Sequence, residues 1–136
     1  MEPAMKDRLR VVTTAGVALA LTVLVLLAVR GIVDPRAAAL AFGVAAGDDS
    51  AAFYQAVYRS RNLVLALTGF AFLFSSMWRA LAILLTASVA LPVYDIVALA
   101  LVDAPISLVH PITLGVLLTL ASLLWLRVRE TPREAP

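Results

Sequence analysis

The sequence predicts an all-α fold, a bundle of four transmembrane helices with a candidate short interfacial helix in its first outer loop. The first observation is composition, because apolar residues make up 62% of the 136-residue chain and charged residues only 15%. A water-soluble domain of this length could not cover so much apolar side-chain surface with polar groups. The second is hydropathy, because four apolar windows of about 19 residues or more follow one another along the chain. The chain is therefore predicted to be an integral membrane protein.

The first predicted span covers residues from about 11 to 29 and begins after Lys6, Arg8 and Arg10. Its apolar run is longer than the core of a signal peptide, and no convincing small-x-small cleavage motif follows it, so we expect a retained helix. In the long connection that comes next, residues 36–43 are predicted to form the short interfacial helix.

Three further spans are predicted at about 51–74, 78–100 and 104–126. The second span is entered through the candidate helix caps Asp48, Asp49 and Ser50. The fourth has Asp103 as its candidate N-cap and Pro105 in its first turn, where a missing N–H costs little. The spans form one membrane domain over residues 1–129, and the charged, proline-containing residues 130–136 are predicted to be disordered.

The distribution of basic residues predicts the orientation of the bundle. An even number of spans places both termini on one side of the membrane, together with the tight turn at Ser75 and Ser76. That side holds most of the lysines and arginines, and the other side's loops hold fewer. The two sets are Lys6, Arg8, Arg10, Arg79, Arg127, Arg129 and Arg133 against Arg30 and Arg36. The positive-inside rule then places both termini in the cytoplasm, and we expect a bacterial inner membrane.

Composition excludes several classes of function. Cysteine is absent, which excludes disulfides, thiolate metal sites and thiol redox chemistry. A single histidine argues against haem or zinc bound by several histidines of one chain. The formal charge is only +2, and the basic residues lie at the ends of apolar segments, so no nucleic-acid partner is expected. No metal or cofactor is predicted.

Three ionisable residues in different predicted spans reach the same depth in the membrane. A rise of about 1.5 Å per residue puts Arg61 roughly 20 Å, Asp95 roughly 24 Å and His110 roughly 25 Å above the inner boundary. Such residues usually face a bundle interior or a water-filled cavity, because a charge exposed to lipid costs several kcal/mol. We therefore predict a polar pocket in the outer third of the membrane, in which an arginine neutralises Asp95 through a bidentate contact.

Further polar residues lie close to that level, namely Gln55, Tyr58, Arg59, Asn62 and Tyr94. Residues 59 and 61 are separated by about 200° on a helix. Only one of the two arginines can therefore face the cluster, and the sequence leaves open which one. Gln55, Tyr58 or Arg59, and Asn62 share one helical stripe.

Two prolines lie within predicted spans, and each removes a backbone hydrogen bond and bends its helix. Pro92 precedes Asp95 by three residues, and Pro111 directly follows His110. We therefore expect both kinks to open the bundle at the level of the polar cluster.

Three short motifs carry a resemblance to a known family. They are RNL at 61–63, LPVYD at 91–95 and the single His110 early in the fourth span. From about Val29 onward the chain resembles small four-helix membrane proteins of unknown function that are distantly DoxX-like. The resemblance implies the fold and the polar set but no established activity, and such proteins occur among genes for specialised metabolites in bacteria and fungi. Family members more often carry Arg-Asp-Leu at positions 61–63, so this chain lacks one of their carboxylates.

The polar residues favour a membrane enzyme that acts by acid–base chemistry on a lipophilic small molecule entering from the outer leaflet. Asp95 and His110 are the candidate acid and base, and Arg61 or Asn62 would bind negative charge that develops on oxygen. Isomerisation, cyclisation and hydrolytic epoxide opening all fit this set of groups. The candidate substrate contacts are Asn62, Tyr58, Arg59, Gln55 and Tyr94.

Two alternatives remain. A proton-coupled carrier that resembles small multidrug transporters is disfavoured, because those rely on a carboxylate in the first membrane helix and residues 11–29 contain no acid. A non-catalytic accessory or lipophile-binding subunit with a structural Arg/Asp/His cluster is the main alternative. The expected partners are a lipophilic substrate and membrane lipid, and the sequence leaves a homo-oligomer open.

Overall fold

A computed structural model of the chain describes residues 3–42 and 49–130, and every regular element in these residues is a helix. The all-α prediction is confirmed. In chain order the helices are α1 (Pro3–Val33), α2 (Pro35–Phe42), α3 (Asp49–Phe74), α4 (Trp78–Ser88), α5 (Ala90–Leu101) and α6 (Val109–Glu130). Three stretches are long and apolar enough to cross a membrane, namely Ala4–Val33, Trp78–Leu101 and Val109–Arg129. The chain is therefore an integral membrane protein built from helices.

The four-span prediction depends on α3. This helix is long enough to cross a membrane, because its 26 residues extend over about 39 Å. Its first half is polar, however, and the mainly apolar remainder, residues 63–74, extends over about 18 Å of a core about 30 Å thick. In the described part of the chain, α3 is not among the stretches with the composition of a span. The count of four spans is therefore not confirmed.

α3 lies antiparallel against α1. Gly31 of α1 lies against Arg59, and a Cβ added at Gly31 would be 2.6 Å from Arg59 Cγ. Earlier on α1, Leu21 lies against Gly69 of α3, where an added Cβ would be 2.6 Å from Leu21 Cδ2. From the first contact to the second, the residue number decreases from 31 to 21 on α1 and increases from 59 to 69 on α3. The two helices therefore run side by side in opposite directions. Glycine allows this close approach because it has no side chain.

The start of α1 and the end of α6 meet at one end of the bundle. Arg127 donates through Nη1 to the Arg10 carbonyl oxygen at 3.2 Å and to Thr14 Oγ1 at 2.7 Å. Its guanidinium also lies over the ring of Trp78 at the start of α4, 3.3 Å from the centroid. We call this end the apolar half of the bundle, because it contains the core residues Val17, Leu21, Leu73, Leu81, Ala82, Leu85, Leu120, Ala121 and Leu124.

The turn predicted at Ser75 and Ser76 is present and reverses the chain within a few residues. Ser76 has a φ of 55°, the left-handed conformation that commonly follows a helix end. The Met77 N–H donates to the Phe72 carbonyl at 2.8 Å, and the Ser76 N–H donates to the Leu73 carbonyl at 3.1 Å. These are the two hydrogen bonds of a Schellman motif.

α2 corresponds closely to the short helix predicted at 36–43. Asp34 caps it, since its Oδ1 accepts a hydrogen bond from the Ala37 N–H at 3.0 Å. Pro35 occupies the first helical position, where no N–H is needed. Residues 43–48, with the expected cap Asp48, and residues 131–136 of the predicted tail lie outside the described residues. The first residue of that tail, Glu130, is the last residue of α6.

The third predicted span corresponds to the candidate span Trp78–Leu101, and the expected effect of Pro92 takes the form of a one-residue break between two helices at Val89, whose φ of −58° and ψ of −31° remain helical. α4 ends at Ser88 and α5 begins at Ala90. Pro92 has no N–H to donate to the Ser88 carbonyl, and its ring crowds that oxygen. At the same place, the Val89 N–H donates to the Thr86 carbonyl at 3.2 Å, three residues earlier, which is the tighter pattern of a 3₁₀ turn.

The last helix begins later than predicted. Asp103, the expected N-cap of a helix from residue 104, lies just beyond the end of α5 with a φ of 52°. The Ala104 N–H donates back to the Leu99 carbonyl at 3.0 Å, so both residues terminate α5. α6 begins at Val109. Pro111 is therefore in its first turn, where the missing N–H costs little, and the kink expected there is not formed.

Candidate functional site

The buried face of α3 carries the stripe that the sequence predicted. Gln55 and Asn62 are 9% and 7% exposed, and Tyr58 between them is half-buried. The stripe continues towards the apolar half with Ala66 and Gly69, both buried. Spacings of three and four residues keep these positions on one helical face. We use the term polar half for the part of the bundle that contains the first half of α3, α2, α5 and the start of α6.

Asp95 and His110 meet where α5 packs on α6. Asp95 shares the buried face of α5 with Pro92 and Leu99, and His110 is in the first turn of α6. The distance from Asp95 Oδ2 to His110 Nδ1 is 3.7 Å. The two residues are only 7% and 3% exposed. The structure thus brings together two of the three ionisable groups to which the sequence assigned a common depth.

The same carboxylate oxygen receives a hydrogen bond from α3. The Tyr58 hydroxyl donates to Asp95 Oδ2, with an oxygen–oxygen distance of 2.7 Å. A phenol, a carboxylate and an imidazole from three helices therefore meet at one atom. Hydrogen bonds to ionised acceptors in a water-poor site are among the stronger ones in proteins. We call Tyr58, Asp95 and His110 the polar cluster.

α2 closes the polar cluster through Phe42. The Phe42 carbonyl oxygen is 3.1 Å from His110 Nε2. A carbonyl can only accept, so Nε2 carries a proton and Nδ1 is the nitrogen that faces Asp95. The phenyl ring of Phe42 also contacts the rings of His110 and Tyr58 edge-on, with centroid distances of 4.6 and 5.3 Å. α2 therefore orients the imidazole and covers one side of the cluster.

The sequence predicted that an arginine, either Arg59 or Arg61, pairs with Asp95. Arg61 does not make this contact. Its guanidinium lies over the ring of Tyr58, 4.6 Å from the centroid, and its side chain is exposed. In the described residues the Asp95 carboxylate is contacted by Tyr58 and His110. A long side chain satisfies its charge on an aromatic face or in solvent as readily as on a carboxylate. Asn62 follows Tyr58 by one helical turn on the same face of α3 and is buried.

Arg59 faces α1, and its side chain packs over Gly31. Its Nε is buried without a hydrogen-bond partner among the described residues. With Arg30 it lines a cleft of about 110 Å³ between α1, α2 and α3. Two other predicted contacts differ in placement: the buried Gln55 Oε1 has no hydrogen-bond partner, whereas Tyr94 is 72% exposed and faces away from the cluster.

Sequence reasoning did not identify two residues that the site uses. Phe42 acts through its main-chain oxygen and through an apolar ring, and neither marks it among the other apolar residues of a short helix. Gly31 makes room for Arg59. The only signal for it was a glycine in the last turn of an apolar span, which indicates close helix packing without naming the partner.

Comparison with known proteins gives a family but no described activity. No curated protein and no solved structure matches the chain. A family model described as "Domain of unknown function (DUF4267)" matches residues 14–125. The matched range includes Phe42 and the whole polar cluster. Because the match covers most of the 136 residues, the chain belongs to the family of the domain of unknown function DUF4267.

Proposed function

We propose that this protein is a membrane-embedded acid–base enzyme that acts on a lipophilic small molecule, with Asp95 and His110 as its acid–base pair. The supporting observation is the contact between Asp95 Oδ2 and His110 Nδ1, which are 3.7 Å apart. Because His110 Nε2 donates to Phe42, Nδ1 and Asp95 Oδ2 face each other as two groups that can each hold a proton. Such a pair can accept a proton from one substrate atom and return it to another.

The neighbouring groups have roles that follow from their placement. Tyr58 donates to Asp95 and can turn the same O–H towards a substrate oxygen. The Asn62 amide and the Arg61 guanidinium, both beside Tyr58, would stabilise negative charge developing on that oxygen. The matching reactions are isomerisation, cyclisation and epoxide opening, each of which needs a proton removed at one position and delivered at another.

The surroundings of the cluster are apolar, which supports a lipophilic substrate. Phe42 covers the Tyr58 and His110 rings, and the outer surfaces of α1, α5 and α6 expose many large apolar side chains. A substrate dissolved in the outer leaflet would reach the cluster by displacing the Phe42 ring. Biosynthesis of a specialised metabolite is the biological setting that the family resemblance implies.

The proposal includes four membrane crossings, with α3 as the fourth. Support comes from the pairing of α3 with α1 and from the contact between Arg127 and Arg10, which brings both ends of the chain's helical part together. The polar first half of α3 would then be covered by α1 and α2, and α5 would contact it through the hydrogen bond between Asp95 and Tyr58. We further propose cytoplasmic termini, a bacterial inner membrane and a distant relation to DoxX-like bundles.

A second candidate function is a non-catalytic accessory or lipophile-binding subunit. The observation in its favour is that the polar cluster is buried and that its members bond to one another and to Phe42. Such a closed network could serve only to join α2, α3, α5 and α6. The two candidates differ in one respect, because only the enzyme requires a carboxyl group that can exchange its proton.

The test compares conversion of substrate by wild-type protein and by Asp95→Asn. Protein in lipid nanodiscs is incubated with a lipid-soluble extract of the producing cells, and products are followed by mass spectrometry. Wild type should convert a compound into one of equal mass, or into one heavier by a water molecule. Asp95→Asn should lower the rate by about a hundredfold or more, because an amide cannot exchange the proton.

The matched control is Asp103→Asn. It makes the same change of carboxyl to amide at an exposed position, and asparagine tolerates the left-handed φ of Asp103. Its rate should equal that of wild type. If no compound is converted by wild type, or if Asp95→Asn converts it at full rate, the enzyme proposal is rejected in favour of the accessory subunit.

A further inference from the structure

A second polar feature of the molecule lies outside the polar cluster, in the cleft between α1, α2 and α3. The cleft has a volume of about 110 Å³, and among the described residues its polar side chains are those of Arg30 and Arg59. The rest of its lining is Gly31 and the apolar side chains of α1 and α2. The described residues therefore provide this cleft with two positive charges and several N–H donors, but with no acceptor side chain.

Arg59 is held in the cleft by its aliphatic part. Its Cγ and Cδ occupy the space beside Gly31, where an added Cβ would come within 2.6 and 2.8 Å of them. Its Nε is buried and has no hydrogen-bond partner within residues 3–42 and 49–130. A buried donor without an acceptor costs free energy. A bound ligand that supplies an acceptor to Arg59 Nε would remove this cost.

The acidic residue nearest to this cleft along the chain is already engaged. Asp34 follows Arg30 by one helical turn, and its Oδ1 accepts a hydrogen bond from the Ala37 N–H at 3.0 Å as the cap of α2. Asp95, on the polar cluster, is bonded to Tyr58. An external anion would therefore supply both the missing negative charge and the missing acceptor.

We infer that this cleft binds the anionic headgroup of a membrane phospholipid, whose phosphate oxygens accept hydrogen bonds from Arg30 and Arg59. The inference goes beyond the proposed enzyme and does not depend on it. Two arginines are well suited to phosphate, because the guanidinium presents several N–H donors in one plane. Their combined charge favours a headgroup with a net negative charge over a zwitterionic one.

Size and position favour a membrane lipid over a soluble ligand. Pockets that enclose a whole small molecule have volumes of about 300–1,000 Å³, whereas this cleft of about 110 Å³ has room for a headgroup alone. Arg30 lies in the last turn of α1, at the end of the membrane-crossing stretch Ala4–Val33. Phospholipid headgroups lie at that level, and the acyl chains would run along exposed leucines of α1 such as Leu26.

The experiment measures thermal unfolding of delipidated protein in a neutral detergent during titration with three probes. These are a phosphatidylglycerol, a phosphatidylcholine with the same acyl chains, and inorganic phosphate. A ligand that binds the folded state raises the unfolding midpoint as its concentration increases. Phosphatidylglycerol should raise the midpoint at lower concentrations than phosphatidylcholine, and inorganic phosphate at the same concentrations should leave it unchanged.

Two substitutions in the cleft should weaken the response to phosphatidylglycerol. Arg59→Gln removes a charged donor, and Gly31→Ala places a methyl group in the space of the Arg59 side chain. Each should lower the apparent affinity about tenfold. Arg61→Gln is the matched charge control, because both guanidinium groups lie over the Tyr58 ring but, of the two, Arg59 alone is among the described residues that line the cleft. Gly115→Ala is the matched glycine control, because nothing lies within 4 Å of a Cβ added there.

Each outcome decides the inference. Wild-type affinity in both controls, with weaker binding in both cleft variants, supports it. Equal loss in Arg59→Gln and Arg61→Gln would show general attraction to positive charge and overturn it, as would an equal midpoint shift by inorganic phosphate. If Gly31→Ala does not fold, the two arginine variants alone decide the matter by the same criterion. Asp95→Asn should retain lipid affinity, so failure of the enzyme proposal and failure of this inference are distinguishable.

Discussion

Asp95 is the residue on which the polar half of the bundle depends, because a phenol and an imidazole from two other helices contact one of its oxygens. It is only 7% exposed, so its loss would leave the Tyr58 hydroxyl without its acceptor, and a buried group without a partner costs about 1–3 kcal/mol. Arg61 is exposed and can turn its guanidinium into solvent. We therefore expect the contributions of Tyr58 and Asp95 to the free energy of unfolding to be coupled.

A pair of double-mutant cycles tests this coupling. We expect Asp95→Ala and Tyr58→Phe to be coupled by about 1–2 kcal/mol, because phenylalanine keeps the ring contacts and loses only the hydroxyl. Asp95→Ala and Arg61→Gln should be coupled by less than about 0.5 kcal/mol. The measurement is the free energy of unfolding in detergent by denaturant titration. A larger coupling with Arg61 would show that the Arg–Asp contact predicted from the sequence is the dominant one.

The sequence predicts some of these residue contacts and not others, for a physical reason. Depth in a membrane helix follows from residue number alone, so Asp95 and His110 could be assigned to one level before their contact was known. The direction in which a long side chain bends does not follow from number, and Arg61 lies on an aromatic ring. Phe42 contributes a main-chain oxygen, which every residue has, so no residue type marks it.

Helix ends are harder to derive from the sequence than helix centres. Hydropathy indicated the centres of α1, α4 with α5, and α6, which all lie in candidate spans. Asp103 followed by Pro105 has the pattern of a helix start, yet the same pair also fits a helix end, since Asp tolerates a left-handed φ and proline often follows a C-cap. The structure has the second arrangement. Local sequence alone could not decide between them.

A break separates α4 from α5 between Ser88 and Ala90, and we expect it to determine the position of Asp95 and to depend on Pro92. Pro92→Ala would supply the N–H that the Ser88 carbonyl lacks, so the two helices should join and Asp95 should move relative to α6. Because the chain has a single histidine, ¹⁵N-histidine labelling gives an NMR signal from His110 alone. We expect Pro92→Ala to shift the Nδ1 resonance, which faces Asp95.

Pro111→Ala is the matched control for this prediction. Pro111 is in the first turn of α6 and next to His110, yet its missing N–H interrupts no helix there. The Nδ1 resonance should therefore change less than in Pro92→Ala. An unchanged resonance in Pro92→Ala, or an equal change in both variants, would show that the break does not determine the position of Asp95.

At the scale of the whole molecule, the two halves of the bundle differ in the polarity of their buried side chains. The apolar half is a packed core of α1, α3, α4 and α6, closed by the contacts of Arg127. The polar half holds Asp95, His110 and the buried amides of α3. Groups that cost free energy to bury are thus kept apart from the region that supplies most of the apolar packing. α3 belongs to both halves, so its path through the membrane determines the topology.

The topology can be tested with single introduced cysteines, because the chain has none of its own. Ser76 follows α3 and Arg36 precedes it in α2, and both side chains are exposed. If α3 crosses the membrane, these two positions lie on opposite sides. The excess of basic residues at the end of the bundle that holds Ser76 then places Arg36 outside.

A membrane-impermeant maleimide should label Arg36→Cys in intact cells and should label Ser76→Cys only after permeabilisation. Loss of Arg36 removes a positive charge from the outer side, so this variant does not bias the orientation against the expected result. Labelling of both positions from one side would show that α3 does not cross, whereas the reversed pattern would keep four crossings and place the termini outside.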